Sequence, residues 1–163
     1  MIVTLTPNPS IDRAVFIDAL RRGEVHRATS SRIDPGGKGV NVSRALAAQG
    51  ADTVAVLPSG GPEGHLLDDL LNTAGVAHAS VPVSGAVRMN ISVLEPDGTT
   101  TKLNEPGPTL SEAEVAALLD TAGVAHASVP VRGTVRMNIS VLEPDGTTTK
   151  LNEPGPDLSR AIR

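Results

Sequence analysis

The chain has 163 residues, enough for one domain with a sizeable core, and its only aromatic residue is Phe16. The core must therefore be aliphatic, and stacking against nucleic-acid bases is not expected. The net charge of -4 and the absence of cysteine exclude a basic field for a polyanion, a disulfide and a thiolate metal site. No apolar run has membrane-spanning length, and the first residues lack the basic region of a signal peptide. We expect a cytoplasmic protein with neither nucleic acid nor membrane as a partner.

Three β-type runs precede residue 34. Residues 2–6 are apolar and stop at two prolines, a pattern typical of a buried strand that could be parallel. Residues 11–17 form a second run, and residues 25–33 form a third, more polar one. Asp12 follows the turn between the first two runs. A carboxylate in that position either accepts hydrogen bonds from a ligand such as a sugar or caps the turn, and the local pattern leaves both open.

A glycine-rich turn at residues 34–39, D-P-G-G-K-G, leads into a helix. The helix is predicted to begin near Lys38 and to stop at Gly50. Its predicted apolar face consists of Val42, Ala45 and Leu46. The turn does not have the spacing of a Walker phosphate loop.

This turn has two interpretations. Its glycines let backbone N–H groups approach a bound molecule, and the first turn of a helix carries a partial positive charge that suits an anion. Lys38 adds a full charge there, and Asn41 adds an amide one turn later. The same turn could equally be a plain connector.

Strands and helices alternate in the part that follows. Residues 53–57 are predicted as a strand, residues 58–62 as a loop and residues 63–74 as a helix that ends at Gly75. This order indicates an α/β sheet with parallel neighbours. Ser111 and Glu114 form a capping box that opens a further helix, which runs to about residue 122.

A β-hairpin is predicted around the turn E-P-D-G, between strands at residues 87–94 and 99–104. Polar and apolar residues alternate in the first of these strands, so one face of the sheet is polar. Arg88 and Asn90 share that face. They could bind a phosphate and a hydroxyl group, or they could belong to a solvated outer face.

The chain then repeats itself. Residues 121–156 copy residues 73–108 at an offset of 48 and differ at only two of 36 positions. A solenoid would repeat several times and diverge, so we interpret the copy as a recent tandem duplication or an artefact of sequence assembly. The predicted organisation is half a domain at residues 1–120, followed by the duplicate and a short tail at residues 121–163.

Four motifs occur in order along the first part of the chain. They are T-L-T-P-N-P-S-I-D at residues 4–12, G-G-K-G-V-N-V-S-R at residues 36–44, R-M-N at residues 88–90 and K-L-N-E-P-G-P at residues 102–108. Together they resemble the ribokinase-like (phosphofructokinase B) sugar kinases, and within that family the bacterial 1-phosphofructokinases and tagatose-6-phosphate kinases. The resemblance covers about residues 1–120, the first half of such an enzyme.

The resemblance implies an α/β fold. A ribokinase-like sheet with flanking helices would carry a small β lid, formed by the predicted hairpin and residues 11–17. The fold would be incomplete, because the C-terminal nucleotide-binding half of such an enzyme is missing from these residues.

The same resemblance implies a site for a small phosphorylated sugar. Asp12 would accept hydrogen bonds from sugar hydroxyls, and Gly37, Lys38 and Asn41 would line the sugar. Arg88 would neutralise the phosphate already on the sugar, with Asn90 beside it, while Asn104 and Glu105 would lie near the lid edge. The implied reaction is phosphorylation of fructose 1-phosphate to fructose 1,6-bisphosphate by ATP and Mg²⁺, with tagatose 6-phosphate as the next substrate.

One segment of the family pattern is absent. The family's catalytic base is the aspartate of a G-A-G-D segment, and these 163 residues contain no such segment. We therefore assign no catalytic and no metal residue, leave binding of ATP and Mg²⁺ by this chain in doubt, and expect no useful kinase activity. A sugar-phosphate-binding remnant and a gene fragment that does not fold are the alternatives. The lid or an unpaired sheet edge could make the chain a homo-oligomer.

Overall fold

The computed structural model describes residues 1–127, 138–142 and 148–152, and the contacts divide the chain into two units, Met1–Ala125 and His126–Arg163. The first unit contains strands β1 (Ile2–Leu5), β2 (Ser10–Phe16), β3 (Ser30–Gly36), β4 (Thr53–Ser59), β5 (His78–Pro82), β6 (Arg88–Leu94) and β7 (Thr100–Asn104). Its helices are α1 (Lys38–Ala48), α2 (Gly61–Thr73) and α3 (Glu112–Thr121). The second unit contains strands β8 (Asn138–Leu142) and β9 (Thr148–Asn152). In the described ranges, no helix has the length and apolar character needed to cross a membrane.

A parallel sheet in the order β1-β4-β5 runs through the first unit and confirms the predicted α/β class. Alternate residues of β4 are buried on opposite faces of this sheet. Ala55 and Leu57 pack in the cluster that includes residues of α1 and α2, whereas Val56 packs with Leu118 of α3. Helices therefore cover both faces of β4, and the core is aliphatic as the composition requires.

Strand β1 is less buried than its apolar sequence predicts. Among the described strands it pairs only with β4, and Ile2 and Val3 are 48% and 43% exposed. Its parallel pairing is confirmed, but the expectation of a buried strand is wrong. An apolar run does not reveal which strand lies at the edge of a sheet, and that position leaves one side of β1 uncovered.

Helix α1 begins at Lys38, as predicted, but its predicted apolar face is wrong. Val42 is 49% exposed and Ala45 is exposed as well. The residues that α1 buries are Val40 and Ser43. A serine is thus part of the inner face of the helix, where the hydrophobic pattern alone would not place it.

A buried chain of hydroxyl groups explains why Ser43 lies on the inner face of α1. Ser43 Oγ lies 2.8 Å from Thr4 Oγ1 and 2.9 Å from Thr53 Oγ1, which joins α1 to β1 and β4. Ser43→Ala would leave both threonine hydroxyls without that partner, and we expect it to lower the free energy of unfolding by about 1–3 kcal/mol in urea denaturation. A triple variant that also carries Thr4→Val and Thr53→Val removes every hydroxyl and should recover most of the loss. A triple variant less stable than Ser43→Ala would contradict this account.

Several predicted boundaries are also wrong. The third strand is displaced towards the glycine-rich turn: β3 runs through Gly36, and Val25 is 89% exposed outside it. Residues 58–62 are not a loop, because only Gly60 separates β4 from α2, although α2 does end just before Gly75 as predicted. Strand β5 has no counterpart among the predictions. The extents of β3 and β5 follow from pairing with β2 and β4, which the local sequence does not show.

A second sheet has the strand order β3-β2-β6-β7, in which β2 and β6 are parallel and the other pairs are antiparallel. It unites the hairpin with the residues of β2, as the resemblance implies, and β3 adds a fourth strand. The predicted hairpin is confirmed. Strand β6 starts at Arg88, one residue later than predicted, and Val87 is buried in the core. Every residue of β6 is half-buried, so both faces of this sheet are partly open.

The duplicated segment forms a hairpin of its own. Strands β8 and β9 are antiparallel, and Asn138 lies opposite Asn152 just as Asn90 lies opposite Asn104. The same local sequence therefore adopts the same register in both units. Arg136, the second copy of Arg88, lies outside the described residues.

The capping box of α3 is confirmed. Ser111 Oγ accepts a hydrogen bond from the Glu114 amide at 3.3 Å, and Glu114 Oε2 accepts one from the Ser111 amide at 2.7 Å. The Ser84 amide donates to Glu114 Oε1 at 2.7 Å. These bonds, the one from the Ser111 amide first, lower the pKa of Glu114 to about 2.

Glu114 should therefore make stability depend on pH. Its folded pKa lies below the ordinary value of 4.5, so its stabilising effect is complete above about pH 4.5 and is lost as the pH falls towards 2. We expect Glu114→Gln to lower the melting temperature at pH 6 and to melt like the wild type near pH 2. Circular-dichroism melts at both pH values test this, with Glu112→Gln in the same helical turn as the control. A deficit of equal size at both pH values would contradict the assignment.

Candidate functional site

The polar face of the four-stranded sheet brings several predicted site residues together. Directly opposed residues of paired strands lie on one face. Asp12 lies opposite Asn90 on β6 and Asp34 on β3, and Asn90 lies opposite Asn104 on β7. Arg88 lies two residues before Asn90 and so shares this face. Carboxylates, amides and a guanidinium group therefore occupy two neighbouring rows of the sheet.

The carboxylate of Asp12 is held in one orientation. Its Oδ1 accepts hydrogen bonds from Ser10 Oγ at 2.8 Å and from Asn90 Nδ2 at 2.9 Å. Its Oδ2 accepts none from the described residues and lies against Gly36, where any Cβ atom would collide with it. One carboxylate oxygen is thus left to accept a hydrogen bond from a ligand hydroxyl.

Ser10 and Gly36 are not among the residues that the sequence predicts for the site. Ser10 could have been found, because the two-residue period of a strand puts it on the same face as Asp12. The role of Gly36 depends on the pairing of β2 with β3, in which Gly36 lies opposite Ser10. That pairing is a tertiary feature with no local signal.

Arg88 ends a hydrogen-bonded chain that starts at Asp12. Its Nη1 donates to Asn90 Oδ1 at 3.2 Å and, more weakly, to the Glu105 carbonyl oxygen at 3.4 Å. Asn90 therefore bridges Arg88 and Asp12, and both of its polar side-chain atoms are engaged. The Nε of Arg88 is buried and has no hydrogen-bond partner, the only such side-chain atom among the described residues. An unpaired buried donor is costly, by about 1–3 kcal/mol, unless a ligand accepts its hydrogen bond.

The glycine-rich turn leaves the positive end of α1 open. Gly37 adopts φ 120°, which favours glycine, and a Cβ atom there would lie 2.6 Å from Thr6 Cγ2. Thr6 Oγ1 accepts a hydrogen bond from the Val40 amide at 3.0 Å, so Thr6 fixes the first turn of the helix. That turn contains no acidic residue, and its N-cap residue Gly37 offers no side chain. Lys38 is exposed and makes no ion pair within the described ranges, which adds a second positive group for an anion.

A groove of about 540 Å³ lies beside Asp12, and Asn41 contributes to it from α1. Its other lining residues are Arg13, Ala14, Arg32, Asp34, Pro35, Arg44, Ser92, Leu94 and Thr100. The volume is within the range of about 300–1,000 Å³ that small-molecule sites occupy. Two of the three arginines in the lining, Arg32 and Arg44, form ion pairs with Asp34. The remaining predicted site residues are not part of this lining.

Asn104 and Glu105 lie where β7 ends. Asn104 is the exposed last residue of that strand. Glu105 Oε2 accepts a hydrogen bond from the Met89 amide at 2.8 Å, and the Glu105 amide donates to the Met89 carbonyl oxygen at 3.3 Å. Glu105 thus continues the β6–β7 pairing by one residue, and its contribution to ligand binding stays a prediction.

No site for a metal ion or a nucleotide is identified among the described residues. They contain no cluster of three histidine, cysteine, aspartate or glutamate side chains that could hold a metal ion. The G-A-G-D segment is absent from the sequence. Phosphoryl transfer requires charge-stabilising groups and a base at the reacting oxygen, so no transfer step is derived for these residues.

Comparison with known proteins places this chain in a family. The profile of the pfkB family carbohydrate kinases matches residues 6–130. A 1-phosphofructokinase of Haloferax volcanii is 40% identical over 119 residues, which are 72% of this chain and 39% of that protein. The ATP-dependent 6-phosphofructokinase isozyme 2 of Mycobacterium tuberculosis is 39% identical over 116 residues, which are 69% of this chain and 34% of that protein.

Solved structures agree with the sequence comparison. The phosphofructokinase-2 of Escherichia coli, solved in complex with fructose-6-phosphate, matches with a TM-score of 0.70 and 34% identity, over 74% of this chain and 40% of that one. A ribokinase of Thermotoga maritima matches with a TM-score of 0.53 and 20% identity, which shows a common fold alone. The chain spans at most about two fifths of the length of these relatives. The predicted ribokinase-like fold, incomplete in this chain, is confirmed.

Proposed function

The chain belongs to the pfkB family of carbohydrate kinases, and from that membership we propose that residues 1–120 form the sugar-phosphate-binding half of a phosphofructokinase-type enzyme. The observation that carries the proposal is the buried, unpaired Nε of Arg88, at the end of the chain through Asn90 to Asp12. This arrangement offers a donor to a phosphate oxygen and an acceptor to a sugar hydroxyl within one network. A fixed guanidinium group recognises phosphate well because its donors lie in one plane.

The proposed roles follow the chemistry of each group. Asp12 accepts hydrogen bonds from sugar hydroxyls, and Gly37, Lys38 and Asn41 line the sugar on the side of α1. Arg88 neutralises the phosphate that the sugar already carries. Asn90 orients the side chains of Arg88 and Asp12 by hydrogen bonds to both. Asn104 and Glu105 border the site at the lid edge.

The proposed ligand is fructose 1-phosphate, followed by tagatose 6-phosphate. Fructose 6-phosphate must be tested beside them, since the similar proteins include both 1- and 6-phosphofructokinases. The reaction of the complete enzyme would be ATP-dependent phosphorylation of fructose 1-phosphate to fructose 1,6-bisphosphate. These residues lack the G-A-G-D segment, so we propose that they bind the sugar phosphate without transferring a phosphoryl group.

A circular-dichroism melt of the whole chain tests the proposal, with and without millimolar fructose 1-phosphate, fructose 6-phosphate and tagatose 6-phosphate. A ligand that binds only the folded state at 100 times its Kd stabilises by about 2.7 kcal/mol, which raises the melting temperature by several degrees. Fructose and inorganic phosphate are the controls and should have smaller effects. ATP turnover is expected to be absent. A cooperative melt that no phosphosugar shifts would contradict the proposal, and the lack of any transition would favour a fragment that does not fold.

We also propose that the chain forms a homo-oligomer through the apolar face of the four-stranded sheet. Ile33, Arg13, Ile91 and Leu103 form one row across its four strands, on the face opposite Asp12, and Arg13 is the only charged residue in this row. The two ends of this row, Ile33 and Leu103, are 38% and 59% exposed. A second copy of the chain would cover this row and bury its apolar side chains.

Sedimentation velocity tests this assembly. We expect wild-type chain at tens of micromolar to sediment as a dimer and Leu103→Lys to sediment as a monomer, because a second positive charge in the row that contains Arg13 would be desolvated on association without an opposite charge beside it. Val25→Lys changes a residue that is 89% exposed and lies outside the strands of this sheet, and it should sediment like the wild type. Dimers of unchanged affinity in Leu103→Lys would rule out this face.

A further inference from the structure

Arg44 connects helix α1 to the strand that precedes the glycine-rich turn. Its Nη1 donates a hydrogen bond to the Pro35 carbonyl oxygen at 3.3 Å, and its Nη2 lies 3.5 Å from Asp34 Oδ1. Both charged side chains are about one third exposed, so solvent screens the pair only in part. One guanidinium group therefore holds the last residues of β3 from a point two turns into the helix.

The turn that Arg44 spans contains two adjacent glycines. Gly36 and Gly37 lie between Pro35 and the helix, and glycine has the greatest backbone freedom of any residue. The N-cap residue Gly37 has no side chain to cap helix α1, and Thr6 Oγ1 restrains the first turn only at the Val40 amide. Yet Gly36 must stay against Asp12 and Ser10 if the carboxylate is to keep its orientation. The side chain of Arg44, which reaches the turn from α1, can keep Gly36 in this position.

Arg32 provides the contrast. Its Nε lies 2.7 Å from the other carboxylate oxygen of Asp34, but Arg32 belongs to the same strand and is 70% exposed. The ion pair of Arg32 therefore does not link β3 to helix α1. Of the two arginines that share Asp34, only Arg44 joins α1 to the turn.

We infer that Arg44 is a positioning residue. It holds the glycine-rich turn against Asp12, so that the site already has its binding geometry before a phosphorylated sugar arrives. This inference rests on the proposed function for its ligand, but its structural part can be measured without one. Arg44 acts through the turn and is not required to touch the sugar. Lysine at this position could reach Asp34 but could not hold both Asp34 and the Pro35 carbonyl, because it lacks the planar fork of arginine.

Amide hydrogen exchange in the full chain tests the structural part. The probes are the Val40 and Asn41 amides, which bond to Thr6 Oγ1 and the Gly37 carbonyl oxygen in the first turn of α1. The Ala55 amide of the core is the reference. In Arg44→Ala we expect the exchange rates of the Val40 and Asn41 amides to rise at least tenfold and the rate of the Ala55 amide to stay unchanged. In Arg44→Lys the rates of the two probes should be intermediate. In Arg32→Ala they should stay within twofold of the wild-type rates. The inference would be overturned if Arg44→Ala accelerated exchange at Ala55 as much as at the two probes, or left the exchange rates of the probes unchanged. It would also be overturned if the Ala55 amide of the wild type showed no protection from exchange.

Isothermal titration with fructose 1-phosphate tests the functional part. Arg44→Ala should bind at least tenfold more weakly, Arg44→Lys should recover part of the loss, and millimolar guanidinium should restore affinity to the alanine variant. An alanine variant with wild-type affinity would overturn the positioning role. If the wild type binds none of the phosphosugars while the exchange results are as expected, the proposed function fails and the restraint of the turn by Arg44 stands.

Discussion

Arg88→Ala is expected to weaken fructose 1-phosphate binding by about 10- to 150-fold. A hydrogen bond to a charged group contributes about 1.5–3 kcal/mol, and each 1.4 kcal/mol is a factor of ten in affinity. The stability of the free chain should change little, since the substitution removes a buried donor that has no partner while it frees the acceptors on Asn90 and Glu105. Isothermal titration and a melt without ligand separate the two effects.

The duplication supplies a matched control for this experiment. Arg136 occupies the same sequence context 48 residues later, V-R-M-N-I-S, although it lies outside the described residues. Arg136→Ala removes the same charge and should leave the affinity within twofold of wild type. If Arg136→Ala abolished binding and Arg88→Ala did not, the site would belong to the second copy and the assignment to the first would be wrong.

Gly36→Ala should have the larger effect, with a loss of at least about 100-fold in affinity. The added Cβ atom would collide with Asp12 Oδ2 and lie 2.5 Å from Ser10 Oγ. Either the carboxylate rotates and loses its bonds to Ser10 and Asn90, or β3 moves away from β2. Forcing an extra carbon into a packed position also costs about 1–3 kcal/mol of stability. Binding and melting experiments should therefore both report the change.

Gly50→Ala is the control for the general cost of replacing a glycine. Gly50 follows α1 with φ 73°, and a Cβ atom there meets nothing within 4 Å. Its replacement should cost about 1–2 kcal/mol through backbone strain and leave affinity unchanged. A Gly36→Ala variant that kept wild-type affinity would show that Asp12 does not need its observed orientation, and the proposed sugar site would then have to be abandoned.

The unpaired Nε of Arg88 is the feature on which the proposed function depends most. A buried polar group without a partner is uncommon in folded proteins and calls for a physical explanation. Here the Arg88 guanidinium belongs to one hydrogen-bonded chain with the Asn90 amide and the Asp12 carboxylate. Recognition of a phosphorylated sugar accounts for all of them. The comparisons show membership of the pfkB carbohydrate kinase family, while sugar-phosphate binding and the identity of the ligand are proposals that the experiments above test.

Local sequence determined the elements whose signals lie within a few residues. The start of α1 at Lys38, the capping box of Ser111 and Glu114, and the hairpin around E-P-D-G are all confirmed in the structure. Each depends on contacts between near neighbours: a glycine before a helix, a side chain that reaches three residues along, and a short turn between two strands. The same locality explains why the duplicated sequence forms the same hairpin register in β8 and β9.

Tertiary structure decided the features that depend on distant residues. The inner face of α1 contains Ser43 because Thr4 and Thr53 supply its hydrogen-bond partners, 39 and 10 residues away in sequence. The role of Asn90 as a bridge depends on Asp12, which lies 78 residues earlier. Hydrophobic periodicity reports only whether a side chain prefers to be buried, and it carries no information about which polar partner it will meet there. The sequence by itself therefore determined the family and the local elements and predicted the residue types of a candidate site, whereas the hydrogen-bonded network that would make them a binding site exists only once the sheet is paired.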